Sequence, residues 1–315
     1  MPPSHVTVKA PATTANMGPG FDVFGLALEQ PVDIVTLIPI PEGVKTEIEE
    51  SASEASLVLQ ERNAANMVAS QMLKEFSLKI GALIKIKRGI LPGVGLGSSA
   101  ASGAAVAYGL NHMFNLKLDD KELIRFAARG EVASAGYEHA DNVSAAICGG
   151  FVIVRSYDPL EIVSMKAPID MQVCVAYPHL ALSANKTEKA RSVVPKQVPV
   201  EGLVYNVGRA AAMVKGFAEG NVELICDSMS DAVVEPARAF MIPGYKNVKA
   251  DAMKAGACGV AISGAGPAMI SIVNKKKADA AVVANAMKAG FESVGLKATS
   301  FVTKPGKGVE LLEMK

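Results

Sequence analysis

The stretch Gly89–Leu110, GILPGVGLGSSAASGAAVAYGL, packs three glycines and two serines into the seven residues Gly93 to Ser99, directly ahead of a run of alanine and other small residues. Glycine at this density serves a turn that needs positive φ or a close backbone approach. The run behind it predicts a helix whose small side chains allow tight packing. A helix entered through such a turn presents unpaired N–H groups and about half a positive elementary charge at its N-terminus, which suits a phosphate without any lysine. Ser98 and Ser99 add hydroxyls for a phosphate oxygen or a bound cation. A plain turn and cap would use the same residue types, though seldom so densely. The segment lacks the GxxxxGK[ST] phosphate loop, and GVGLGS misses the third glycine of the dinucleotide fingerprint. A third mode of holding a polyphosphate is therefore expected.

Composition bounds what surrounds this motif. Of 315 residues, 50% are hydrophobic and 20% charged, enough for one large core or two moderate ones, and two domains are expected. With 32 basic against 31 acidic side chains the net charge is +1, so no broad field draws nucleic acid or an anionic membrane, and the expected partner is small. Trp is absent and aromatics make up 5%, leaving little for base stacking. No apolar run approaches the ~18 residues of a spanning helix, and MPPSHVTVKAPATT carries no signal-peptide pattern, so a cytoplasmic location is expected. Cys148, Cys174, Cys226 and Cys258 are scattered without a CxxC pair, which argues against structural zinc and, in a reducing compartment, against disulfides.

Periodicity gives a mixture of α and β. Alternating β-branched residues predict strands at 6–10, 32–38, 83–88 and 151–157. A helix is expected from Asn63 to Phe76, and another from Asp119, where Glu122 completes a capping box. DPLEIVSMKAPID, 158–170, reads as a turn-rich crossover into a second domain. Beyond it, a strand at MQVCVAY, helices near 201–219 and 277–291, and strands at VAISG, MISIV and KATSF complete an αβ sandwich.

Four further clusters carry candidate chemistry. Leu123, Ala127 and Glu131 share one helical face, which turns a carboxylate inward, where Mg²⁺ beside nucleotide phosphates would compensate it. An arginine-paired or exposed glutamate is the alternative. In KAPATTANMGPGFDVFGLAL, Asn16 and Asp22 flank a tight Gly-Pro-Gly bend, positioned either to face one ligand or to cap their own turn. YEHADNVSAAICGG gathers His139, Asp141 and Asn142 before a strand, where helix capping would equally use Asp141 or Asn142. In GVAISGAGPAMISIV, Gly264, Ala265 and Gly266 form a second glycine turn between two strands.

Together, KAPATTANMGPGFD, LPGVGLGSSAAS and ISGAGPAM resemble, in order and spacing, the three motifs of the GHMP kinase family, named for galactokinase, homoserine kinase, mevalonate kinase and phosphomevalonate kinase. ANMGPGFD, GEVASAGYEHADNV and EPARAFMIPGY are similar to the homoserine kinase branch. The resemblance covers essentially the whole chain. It implies an α+β, two-domain GHMP kinase architecture, with an N-terminal mixed αβ nucleotide domain (1–165), a C-terminal αβ sandwich (166–315) and the active site in the cleft between them. It further implies ATP-dependent phosphorylation of the L-homoserine hydroxyl, a step of threonine biosynthesis, with Mg²⁺ as cofactor. The partners implied are small molecules, with no nucleic acid or membrane, and a homodimer is suggested.

The same resemblance assigns roles. Pro92, Gly93, Val94, Gly95, Leu96, Gly97, Ser98, Ser99, Ala100, Ala101 and Ser102 would hold the ATP phosphates, with Ser99 and Glu131 as Mg²⁺ ligands. Gly264 and Gly266 would close the site from the second domain, and Asn63 and Lys87 match nucleotide contacts. Arg191 and Arg238 would clamp the substrate carboxylate and Asp22 would meet its ammonium, while Asn16, His139, Asn142 and Thr187 line the rest. The chemistry agrees, since an arginine fork suits a carboxylate and an aspartate suits an ammonium. Thr13 stands where mevalonate-type members carry a lysine, and Asn142 where they carry a basic aspartate. An amide takes no proton, so catalysis here is expected to rest on alignment, charge neutralisation and Mg²⁺, with the hydroxyl proton passing to phosphate or solvent. A general-base route returns if Asp141 reaches the hydroxyl. The competing readings are a shikimate or mevalonate kinase of the same family and a noncatalytic binding member. The paired arginines and the missing lysine weigh against the first, and the intact GLGSSA with Glu131 against the second.

Overall fold

Valine and alanine alternate along Val6, Val8, Ala10 and Ala12, all fully buried, and build β1 (Val6–Asn16), the spine of the first sheet. The computed structural model describes residues 2–49, 64–135, 139–181 and 186–315. Strand β2 (Gly20–Ile40) runs antiparallel to β1 and is far longer than the expected 32–38. Its far half pairs with β4 (Gly81–Lys87), which in turn pairs in parallel with β3 (Val44–Glu49). Its near half, FGLAL, lacks β-branched alternation but is held by β5 (Phe151–Tyr157) through Phe24 to Leu26. Strand β6 (Leu160–Met165) then pairs antiparallel with β5. This corrects the reading of 158–170 as a crossover: LEIVSM alternates between two prolines, and only the flanks are turns. Finally β11 (Glu310–Met314) returns the C-terminus to β1, pairing Met314 with Val6.

Helices α1 (Ala64–Glu75), α2 (Ser98–Phe114), α3 (Asp120–Ala135) and α4 (Ala140–Cys148) join this sheet in one core. The predicted capping box opens α3, with Asp119 Oδ1 accepting the Glu122 N–H at 2.9 Å and Glu122 Oε2 accepting the Asp119 N–H at 3.0 Å. Helix α2 is buried on almost every side, from Ser98 to Met113. Its small residues are what permit this, since a Cβ on Gly109 would stand 2.5 Å from Leu37 Cδ1.

The second sheet is antiparallel, in the order β10 (Ala298–Thr303), β7 (Met171–Pro178), β9 (Met269–Asn274), β8 (Gly259–Ile262). Both its faces are covered, so its strands read as near-continuous apolar runs. Val173, Val175, Ile270 and Ile272 join the core shared with Met213 and Phe217 of α6 (Val200–Glu219). The alternate residues Cys174, Ala176, Met269 and Val273 pack with α9 (Tyr245–Lys254) and α10 (Ala280–Glu292). Phe217 stacks on Phe151 with ring centroids 3.9 Å apart, joining the two halves. Three short helices escaped the sequence reading because none holds two full turns of apolar period: α5 (Lys186–Ser192), α7 (Val222–Asp227) and α8 (Val234–Arg238).

The cysteine expectation is corrected. Cys226 and Cys258 form a disulfide, with Cα atoms 5.1 Å apart across 32 residues of chain. Helix α7 can approach β8 this closely because Gly259 carries no side chain; a Cβ there would lie 2.9 Å from the Cys226 carbonyl oxygen. Cys148 and Cys174 are free thiols. No helix among the described residues is long and apolar enough to cross a membrane.

Candidate active site

The loop ahead of α2 has two chemically distinct sides. Every carbonyl from Gly93 to Gly97 is taken by the protein. Lys186 Nζ donates to Gly93 O at 2.5 Å, the Ala268 N–H to Val94 O at 2.8 Å, and the Ser263 hydroxyl to Gly95 O at 2.6 Å. The Thr13 N–H donates to Leu96 O at 3.1 Å and the Ala101 N–H to Gly97 O at 2.8 Å. By contrast, among the described residues no acceptor meets the N–H groups of Gly93, Val94, Gly95, Leu96, Gly97 or Ser98. With its acceptors used and its donors open, the loop is built for an anion. Glycine is obligatory at two points. Gly95 sits at φ +97°, where a Cβ would be 2.4 Å from Ser263 O, and Gly97 caps α2 at φ +67°, where a Cβ would be 2.0 Å from Thr13 Oγ1.

The loop is wedged between β1 and the second glycine turn. Gly264 and Gly266 both take positive φ, and the Gly264 N–H donates to Ala15 O at 3.2 Å. Beneath the start of α2, Arg88 Nη1 donates to Ser98 Oγ at 2.7 Å and pairs with the buried Asp33 at 3.3 Å. Asp33 Oδ1 in turn accepts the Gly89 and Ile90 N–H groups, each at 2.9 Å. The Ser98 hydroxyl, a candidate for phosphate or cation, thus accepts from Arg88, while its N–H stays open. Lys87, one residue earlier, is exposed at the end of β4. Asn63 lies outside the described residues.

Glu131 is buried as its helical phase required, on the same face as Leu123 and Ala127. Burial raises its pKa above the usual carboxylate range, partly offset by a hydrogen bond from Ser99 and by the nearby His139. A desolvated carboxylate against a hydroxyl at the mouth of the loop suits a hard cation.

Across the cleft, both arginines meet the N-terminal bend. Arg191 Nη2 pairs with Asp22 Oδ2 at 2.7 Å, and Arg238, 5% exposed, donates from Nε to Ala190 O at 2.8 Å and from Nη1 to Gly264 O at 3.1 Å. The ring of Phe21 meets both guanidinium groups, its centroid 5.5 Å from Arg191 and 4.9 Å from Arg238. Asn16, at φ 72°, accepts the Asp22 N–H at 3.1 Å and donates to Gly264 O at 2.9 Å, so it braces its own turn against the second one. A small open cleft of about 10 Å³ lies against Asn16, Arg238 and Gly264. Burial alone would raise the pKa of Asp22, but hydrogen bonds from His139 and Arg191 outweigh it and hold the carboxyl below its ordinary value. Burial likewise opposes charge on His139, whose Nδ1 is 3.6 Å from Asp22 Oδ1, yet Asp22 and Asp141 together raise its pKa. The other ring nitrogen of His139 is buried and meets no partner among the described residues. Thr187 is half-buried at the start of α5.

Asp141 and Asn142 open α4. Asp141 is 2% exposed, and its Oδ1 accepts the Asn142 N–H at 2.7 Å and the Asn142 amide at 3.3 Å. Burial pushes its carboxyl up, and the charge on Asp22 adds to the shift, with His139 opposing. Thr13 Oγ1 donates to Asn142 Oδ1 at 2.8 Å, which fixes that amide's orientation. Thus Asn16, Asp22, His139, Asp141, Asn142, Arg191 and Arg238 converge with the loop, Ser99, Glu131, Gly264 and Gly266. Sequence reasoning missed Phe21, Thr13, Arg88, Ser263 and Lys186. The one usable signal was Thr13, noted only as a lost lysine, since a β-strand hydroxyl opposite a glycine turn has few uses besides orienting a neighbour.

Comparison with known proteins supplies the wider setting. The family model for the GHMP kinases N terminal domain matches residues 62–150, and that for the GHMP kinases C terminal matches 213–293. The chain is 45% identical over 273 residues to homoserine kinase of Methanococcus vannielii, covering 86% of this chain and 88% of that one. It is 40% identical over 308 residues to homoserine kinase of Natronomonas pharaonis, covering 97% and 99%. Among solved structures, a homoserine kinase from Cytophaga hutchinsonii superposes with a TM-score of 0.87 at 34% identity over 98% of both chains. The L. major mevalonate kinase in complex with R-mevalonate shares the fold at a TM-score of 0.68 and 14% identity, covering 98% of this chain and 97% of that one.

Proposed function

The chain belongs to the homoserine kinases of the GHMP kinase family, and on that premise we propose that it transfers the γ-phosphoryl group of ATP to the side-chain hydroxyl of L-homoserine. The observation that carries the reading is the sidedness of the loop from Gly93 to Gly97, whose carbonyls are all occupied and whose N–H groups are open. These amides and the α2 N-terminus grip the polyphosphate, and no loop lysine is needed. In the transfer the homoserine hydroxyl oxygen forms a bond to the γ-phosphorus as the bond from phosphorus to the bridging oxygen of ADP breaks. The hydroxyl proton leaves to phosphate or solvent, giving O-phospho-L-homoserine and ADP.

On the acceptor side, Arg191 and Arg238 take the carboxylate, Asp22 takes the ammonium, and His139 and Asn142 face the remainder. Asn142, oriented by Thr13 and Asp141, aligns the hydroxyl rather than deprotonating it. Alignment of this kind accounts for about 7 to 11 kcal/mol of a barrier, and a loose phosphoryl-transfer transition state asks for little proton removal. Ser99 and Glu131 would hold Mg²⁺, which supplies charge neutralisation on the phosphates. Among the described residues no set of three His, Cys, Asp or Glu side chains could hold a metal, so phosphate oxygens and water would complete its shell. We place the domain division after Met165, with 310–314 returned to the first sheet. ADP release measured over L-homoserine, L-serine, shikimate and mevalonate tests the assignment. Turnover is expected with L-homoserine, and a preference for either acid lacking an amino group would refute it.

A further inference from the structure

Lys186 opens α5 and was singled out neither by motif nor by spacing. Its ammonium group donates to Gly93 O at 2.5 Å and also to Gly266 O, so one side chain joins the loop ahead of α2 to the second glycine turn. The other end of the same seven-residue helix is fixed just as firmly. There the Ala190 carbonyl accepts from Arg238 at 2.8 Å and Arg191 pairs with Asp22 at 2.7 Å. Helix α5 is therefore a bolt across the cleft, with one end on the nucleotide loops and the other on the acceptor pocket.

We propose that Lys186 is a positioning residue for phosphoryl transfer, a clamp that draws the two glycine loops together from the helix that carries Arg191. The inference rests on the reading of the Gly93–Gly97 loop as the nucleotide seat.

The clamp responds to charge. Burial, with Arg238 of α8 adding repulsion, pushes the Lys186 ammonium down to about 7. On its own helix Glu188 and Lys189 are exposed, and the two loops offer it only carbonyl oxygens. Near neutrality the free enzyme thus holds this lysine partly uncharged, and a neutral amine is the weaker donor. Polyphosphate bound to the loop's N–H groups restores the charge and tightens the clamp. The sign follows from linkage. The nucleotide complex has the higher pKa, so ATP binding is strongest below about 7 and weakens as pH rises above it, with a proton taken up on binding.

Calorimetric titration of the full-length protein with ATP, in two buffers of different ionisation enthalpy at pH ~8, reads that proton directly, and net proton uptake is expected for the wild type. K186R stays charged throughout and is expected to bind ATP with no such uptake. Protonation of the nucleotide itself is common to both proteins and cancels in their difference. K186M is expected to raise the KM for ATP by ~10- to 100-fold, the worth of charge-assisted hydrogen bonds, with a smaller effect on the KM for homoserine. Should K186M fail to fold, as judged by circular dichroism, K186Q takes its place. Identical proton uptake by wild type and K186R would overturn the charge response, and a KM for ATP within ~3-fold of wild type in folded K186M or K186Q would overturn the clamp itself, each leaving the nucleotide seat intact. Failure of the wild type to bind ATP at all would overturn the seat and the clamp with it.

Discussion

Gly95→Ala is the sharpest probe of the phosphate loop, because a single methyl group acts on backbone alone. The residue sits at φ +97°, and an added Cβ would lie 2.4 Å from Ser263 O and 2.8 Å from Gly266 O. Both are main-chain atoms of the opposing turn, so no side chain can swing aside. Opening the nearer contact to the ~3.3 Å of ordinary carbon-to-oxygen approach requires a movement of about 1 Å. The left-handed backbone adds a local cost of roughly 1–2 kcal/mol for a residue with a Cβ. Since the loop N–H groups are the proposed seat of the phosphates, a displacement of about 1 Å is expected to lower kcat/KM by ~100-fold. Steady-state kinetics with varied ATP measures the loss, and circular dichroism melting confirms the fold. Gly208→Ala in α6 is the matched control, since nothing lies within 4 Å of its Cβ position and φ is ordinary. It should gain about 1 kcal/mol of stability from helix propensity and leave activity unchanged. If G95A retained kcat/KM within ~3-fold of wild type, against the ~100-fold expected, the loop would not be holding the phosphates where its geometry places them.

Three further substitutions follow from the same site. Thr13→Val removes the donor that orients the Asn142 amide, so kcat is expected to fall by ~10-fold with the KM for ATP little changed, while Thr13→Ser restores it; equal kcat in T13V and wild type would exclude the positioning role. Glu131→Gln should lower turnover and raise the Mg²⁺ concentration needed for half-maximal rate. Because the Glu131 pKa is raised in the fold, the protein loses stability as pH rises from the unfolded value through the folded one, and E131Q should abolish that decline and raise Tm by ~2 °C or more at neutral pH. Asp141→Asn keeps an oxygen for the Asn142 N–H and should cost less than ~100-fold in kcat; a larger loss at unchanged substrate affinity would mark Asp141 as the general base.

What the sequence disclosed and what it withheld have one physical boundary. Features written in adjacent residues were legible: the Gly95 and Gly97 turn feeding α2, the Asp119–Glu122 box, the inward phase of Glu131, and the strands with β-branched alternation. Features that depend on long-range pairing were not. FGLAL becomes strand because β1 and β5 flank it, and LEIVSM because β5 precedes it with a two-residue turn. The Cys226–Cys258 pair is set by the approach of α7 to β8 at a glycine, which spacing cannot reveal. Among site residues, the glycines, Asn16 and Asp22 of the glycine-bearing motifs were found, while Thr13, Phe21 and Ser263 of the same motifs were not, because their partners lie on other strands and helices. Lys186 and Arg88 went unread because a lone basic residue in a polar stretch looks like any solvated one until its carbonyl or carboxylate partners are known.

The ion pair between Arg191 and Asp22 explains how such a pocket would select a zwitterion. In the free protein the two proposed substrate contacts neutralise one another at 2.7 Å. An amino acid entering between them offers a carboxylate to the arginine and an ammonium to the aspartate, so each partly buried charge exchanges one partner for another and none is stranded. An acid without an amino group can take only the arginine. It would leave Asp22, whose carboxyl is held ionised by His139 and Arg191, with a partner lost and nothing in its place. A site that leaves a polar group unpaired discriminates by more than the ~1 to 3 kcal/mol by which a pocket distinguishes one methylene, and Asp22, about 21% exposed, keeps only His139 in that case. The pocket should therefore reject shikimate and mevalonate far more strongly than it rejects L-serine. Asp22→Asn should narrow the first gap while leaving the second nearly untouched, and a variant that changed both gaps equally would show that the pair serves packing rather than recognition.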